Sequence, residues 1–109
     1  MTRSHDHADV EIQEGGHLLA SAEVTLTDDP AVVHSEMHVE AGHLPPGTRG
    51  RLVDAVLEHP AVGRADRLVA TMPLGDTEML DRVRERSDAV ETRAAGATKI
   101  VEARLEHRG

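Results

Sequence analysis

Phenylalanine, tryptophan, tyrosine and cysteine are all absent from this 109-residue chain. Without cysteine there is no disulfide, no thiolate zinc site and no thiol nucleophile. Without aromatic rings the core must be assembled from Leu, Val, Ile, Met and Ala, each burying less than the roughly 150–250 Å² of an aromatic side chain. A domain this short hides only about two-thirds of its unfolded surface, so association with another chain is a natural supplement to an aliphatic core. No apolar run approaches the roughly 18 residues a membrane span needs, and the polar stretch Met1 to Asp9 does not have the apolar segment of a signal peptide. These absences lead us to expect a cytoplasmic protein with one domain over residues 9–105 and loose ends at 1–8 and 106–109.

Positive charge is scarce where negative charge is concentrated. Residues 1–44 hold nine acids against Arg3 alone, whereas residues 45–109 hold eleven acids and eleven bases, so the whole formal excess of −8 falls in the first two-fifths. Phosphates would be repelled there, which argues against a nucleic-acid partner. Six of the eight histidines (His5, His7, His17, His34, His38 and His43) lie in the same stretch, so its charge should change between neutral and mildly acidic pH.

What is present is a clear change of hydrophobic period. From His17 to Thr27 apolar and polar residues alternate, with Leu18, Ala20, Ala22, Val24 and Leu26 against Ser21, Glu23, Thr25 and Thr27. After the turn Asp28-Asp29-Pro30, Val33, Ser35, Met37 and Val39 alternate with His34, Glu36, His38 and Glu40. Both stretches read as half-buried strands of one antiparallel hairpin with a polar face, and Asp9–Gln13 as a short edge strand before Gly15-Gly16. Beyond Pro45-Pro46-Gly47 the period becomes helical: Thr48 can cap a helix carrying Leu52, Val53, Val56 and Leu57, which Pro60 ends. Arg67–Met72 reads as an interior strand. Asp76 or Thr77 can cap a second helix with Met79, Leu80 and Val83, in which Glu78 and Arg82 are spaced to pair. Ala89–Ala94 favours a strand over a continued helix, then a turn at Ala95-Gly96-Ala97 and a last strand at Thr98–Leu105. The expected class is α+β, a mixed and mostly antiparallel sheet with two helices in the order β-β-β-α-β-α-β-β.

From His17 to Leu105 this order resembles the Gcn5-related N-acetyltransferase family. The segment 38–57, HVEAGHLPPGTRGRLVDAVL, is similar to the family's central strand and the loop and helix that receive the coenzyme A pyrophosphate. The segment 67–93 is similar to the next strand and the helix after it. The resemblance implies an acyl-CoA-binding fold, with acetyl-CoA or another acyl-CoA held by Leu44, Gly47, Thr48, Arg49, Gly50 and Arg51, and with Glu36 or His34 standing where the family places a base for an amine. The physical basis is sound: a helix start offers free amides and a partial positive charge to phosphate, and two arginines add to it. The chain departs from the family in several ways. Registering the family's Gln/Arg-x-x-Gly-x-Gly/Ala loop on Arg49 puts Leu52 and Asp54 where small residues stand. No Tyr is present as general acid, Ser87 being the nearest hydroxyl, and the family's first strand and first two helices have no counterpart.

Three function classes follow: an acyl-CoA-dependent N-acyltransferase, a non-catalytic module that uses the scaffold for homodimerisation or a protein partner, and a His-rich metal- or pH-responsive protein. His34 and His38 are too far apart along one strand face to share a metal, and a solvated mixed-charge face is the commoner arrangement, so no metal ligands are assigned. The contact in a dimer is expected through an edge strand or the C-terminal hairpin around Val90, Ile100 and Val101.

Overall fold

The structure, a computed structural model, describes residues 7–40 and 44–105. His5, His43 and the expected loose end 106–109 lie outside the described residues. Three antiparallel strands open the fold: β1 (His7–Glu14), β2 (His17–Leu26) and β3 (Val32–Val39). The edge strand thus begins at His7, two residues before the expected Asp9. Gly15 and Gly16 have φ of 59° and 81°, the left-handed pair that a two-residue hairpin turn requires and that other residues resist.

After β3 come helix α1 (Thr48–Glu58), the one-turn helix α2 (Pro60–Gly63), strand β4 (Arg67–Pro73), helix α3 (Thr77–Glu85), and strands β5 (Ser87–Ala95) and β6 (Thr98–Leu105). Pro60 ends α1 as expected but also starts α2, where a missing amide proton costs nothing; the His59 ring accepts from the Ala61 amide as its cap. Thr48 does not cap α1. Gly47 holds the cap position at φ 84° with no side-chain bond, while the buried Thr48 hydroxyl donates back to the Pro45 carbonyl at 2.7 Å. Asp76, rather than Thr77, caps α3, accepting from the Met79 amide at 2.9 Å.

The six strands form one sheet in the order β1-β2-β3-β4-β6-β5, with only β3 and β4 parallel. Both longer helices lie on one face of it, α1 against β1–β3 and α3 against β5 and β6. Their buried Leu52, Val53, Val56, Met79 and Val83 meet Ala22, Val24, Met37, Leu68, Met72 and Val101 from the strands. Val101 is therefore core and unavailable to another chain, contrary to the expectation that placed it in a dimer contact. The opposite face has no covering layer among the described residues. Ser21 and His38, Glu23 and Glu36, and Thr25 and His34 are direct cross-strand partners there, which is the polar face anticipated from the alternation.

Arg82 turns to a different partner from the expected Glu78. Its Nε and Nη2 bond both oxygens of Asp54 on α1, at 2.8 and 2.9 Å, and Nη1 bonds Glu85. Arg86 adds a third bond to Asp54 at 2.8 Å. The Arg82 hydrogen bond, then that of Arg86, holds the Asp54 carboxyl below its ordinary range against the opposing effect of burial. This cluster ties α1 to α3 across their exposed sides.

Candidate functional site

The parallel strands separate part-way along their length. β3 pairs with β4 only from Val32 to Glu36, against Arg67 to Thr71. Beyond that point Met37–Val39 continue on β2 and Met72–Pro73 on β6, so the sheet forks at Glu36 and Thr71. The first turns of α1 and α3 stand at the mouth of this fork. A cleft of about 360 Å³ there is lined by Val39, Arg49, Pro73, Asp76, Thr77 and Glu78. A second groove, of about 530 Å³, shares Thr77 and Glu78 and runs between the helices past Gly47, Gly50 and Arg51. An opening at the carboxyl ends of parallel strands, facing helix starts, is where open α/β sheets take their ligands.

Asp76 organises the mouth. Its side chain is only 4% exposed. One oxygen caps α3, the other accepts from Arg49 Nε at 2.8 Å, and its main-chain carbonyl accepts from the buried Lys99 on β6. The starts of both helices and the end of the sheet thus meet on one residue. At the start of α1 the Thr48 amide bonds the Pro45 carbonyl and the Arg51 amide bonds that of Gly47, leaving the Arg49 and Gly50 amides without a partner among the described residues. A β-carbon at Gly50 would meet nothing within 4 Å.

The sequence-expected cofactor residues are therefore together, in unequal states. Gly47, Gly50 and Arg51 border the groove, Arg49 borders the cleft with its charge shared with Asp76, Leu44 is half-buried at the base of the loop, and Thr48 is buried. Arg51 is 53% exposed and 3.9 Å from Glu14. Glu36 stands at the vertex of the fork, the last β3 residue paired on both sides. His34 is two residues further from the opening, and both are exposed on the uncovered face. Ser87 is ruled out as an acid at the cleft: it begins β5 opposite Leu105, at the far end of the sheet from Pro73, which pairs with Thr98. Its hydroxyl is buried and without a partner among the described residues. The hydroxyl bordering both openings is that of Thr77, which sequence reasoning weighed only as a helix cap.

No family model and no curated protein matches the sequence. Solved structures do match. The GNAT domain of S. lividans PAT superposes with a TM-score of 0.63 at 12% identity over 92% of this chain. The yncA protein of Salmonella typhimurium, solved with its cofactor acetyl-CoA, gives 0.65 at 11% over 94%. The ribosomal-protein-alanine N-acetyltransferase of Brucella melitensis also gives 0.65 at 11% over 94%. The fold is that of the Gcn5-related N-acetyltransferases. The chain spans 61%, 66% and 71% of those three structures. Asp54, the acid expected near the pyrophosphate loop, lies a turn and a half into α1 with its carboxylate held by Arg82 and Arg86. Its charge is neutralised locally rather than presented to the helix start.

Proposed function

We propose that the chain binds an acyl-CoA, with the pyrophosphate at the start of α1 and the thioester arm in the fork between β3 and β4. The Arg49 and Gly50 amides at the mouth of that fork, unpartnered among the described residues, carry the reading: they offer two donors and the positive end of a helix dipole to an anion, beside the solvent-facing Arg51. Bound there, an acyl-CoA would supply an activated acyl group. Glu36, at the vertex, is the residue placed to take a proton from an attacking amine, and the acidic face around it would favour a cationic acceptor.

A thermal-shift titration with acetyl-CoA in the millimolar range tests binding, since a ligand of the native state must raise the melting temperature. Gly50→Ala is the informative variant. The added methyl group has space in the free protein, yet it stands between a phosphate and the amides, so affinity should fall about tenfold while the helix is stabilised by roughly 0.5–1 kcal/mol. Absence of any shift with the unaltered chain refutes the coenzyme reading.

One observation favours a second reading. β1 and β5 are the two edges of the sheet, and neither has a partner on its outer side among the described residues. Such edges invite pairing, so we also propose a homodimer joined through one of them, in the cytoplasm, whether or not turnover occurs.

A further inference from the structure

The uncovered face of the sheet carries a compact set of metal-ligand groups, well away from the start of α1. We propose that His7, Asp9 and Glu23 form a site for one divalent transition-metal ion of the zinc class. His7 and Asp9 are alternate residues of β1 and so share a face, and their cross-strand partners on β2 are Thr25 and Glu23. The four side chains make a two-by-two patch. The ligand atoms of His7, Asp9 and Glu23 all lie within 4.8 Å of one another, and His7 Nε2 is 3.2 Å from Asp9 Oδ1. Tetrahedral coordination at roughly 2.0–2.2 Å per bond sets ligand atoms about 3.3 Å apart. Small rotations of exposed side chains close that difference.

Two further observations point to a cation. The His7 ring is oriented by its other nitrogen: Nδ1 is 3.4 Å from the Thr25 hydroxyl, and an outer hydrogen bond of this kind orients a metal-binding imidazole. In addition, Asp9, Glu23 and Glu36 are directly opposite one another on three successive strands. Like charges so placed destabilise a sheet, and neither Glu23 nor Glu36 has an arginine or lysine partner among the described residues. A bound dication would relieve this repulsion, with water as the fourth ligand. One imidazole with carboxylates favours zinc, nickel or copper over magnesium and calcium. The spacing that prevents His34 and His38 from sharing an ion does not apply, because His7 and Asp9 are two residues apart on their strand rather than four and Glu23 faces Asp9 from β2.

Calorimetric titration of the metal-free full chain with zinc chloride at pH 7 tests the site. One equivalent should bind, and magnesium chloride should give no heat. His7→Ala should abolish binding. Glu23→Gln, nearly isosteric and exposed, should weaken it at least tenfold without a folding cost, and Thr25→Val should weaken it about 10–100-fold through the lost ring orientation. His17→Ala, outside the patch, should leave it unchanged. Zinc affinity that is indifferent to His7→Ala and Glu23→Gln, or lowered equally by His17→Ala, would overturn the proposal, as would no binding at about tenfold the protein concentration.

Discussion

Replacing Asp76 separates two contributions that the structure assigns to one carboxylate. Asp76→Ala removes the cap bond to the Met79 amide, worth about 1 kcal/mol. It also removes the charge-assisted bond to Arg49, whose side chain is 34% exposed; partial solvent screening puts that bond near 1 kcal/mol as well. The sum, about 2 kcal/mol, corresponds to a fall in melting temperature of roughly 8–16 °C for a domain of this size. Asp76→Asn keeps an equally good cap and loses only the charge, so it should cost about half as much. Urea and thermal unfolding followed by far-ultraviolet circular dichroism provide the assay, because a chain without aromatic residues has no intrinsic fluorescence to report. A loss below about 0.5 kcal/mol for Asp76→Ala would refute the claim that this residue joins the two helix starts. Equal losses for the two variants would show instead that the cap contributes nothing.

Ser35 points into the core, 2% exposed, and its hydroxyl has no hydrogen-bond partner among the described residues; Ser35→Ala should therefore raise stability by about 1 kcal/mol in the same urea assay. The lowered carboxyl of Asp54 contributes stability that is present above its ordinary value of 3.8 and lost as pH falls through the folded value. Thermal unfolding between pH 6 and pH 2 should consequently show a shallower acid loss for Asp54→Asn than for the unaltered chain, and parallel curves would remove the clamp from the account. Sedimentation at several concentrations should reveal a dimer that dissociates on dilution, whereas a folded monomer at every concentration would show that the aliphatic core suffices alone.

Much of this protein could be read locally. The strands β2 and β3 and their shared polar face follow from period-two alternation, since a strand with one buried face must put every second residue in the core. The last strand, Thr98–Leu105, and the cap at Asp76 are also local matters of turn chemistry and of a short acceptor three residues before an amide. The glycines of the loop before α1 were legible as a helix start, but the assignment of its cap to Thr48 failed. Capping depends on backbone geometry, and Gly47 in the left-handed region, together with the Pro45 carbonyl, occupies both the position and the hydroxyl. The pairing of Glu78 with Arg82 failed for a different reason: spacing along one helix makes a contact possible, whereas the carboxylate of Asp54 on a neighbouring helix offers a two-pronged bond that a helical neighbour cannot.

Only tertiary structure decided the rest. The fork at Glu36 and Thr71 is a property of two strands 35 residues apart, and it arises because each strand's far end holds to its other neighbour. The meeting of Arg49 with Asp76, the removal of Ser87 to the opposite end of the sheet, and the burial of Val101 are likewise consequences of strand order. So is the patch of His7, Asp9 and Glu23, which no sequence spacing announces because its members face one another across a hairpin register. Hydrophobic period sets which face of an element is buried, since that is a matter of neighbours along the chain. Which charged groups then meet is set by the register and crossing of elements distant in sequence, and that information resides only in the packed sheet.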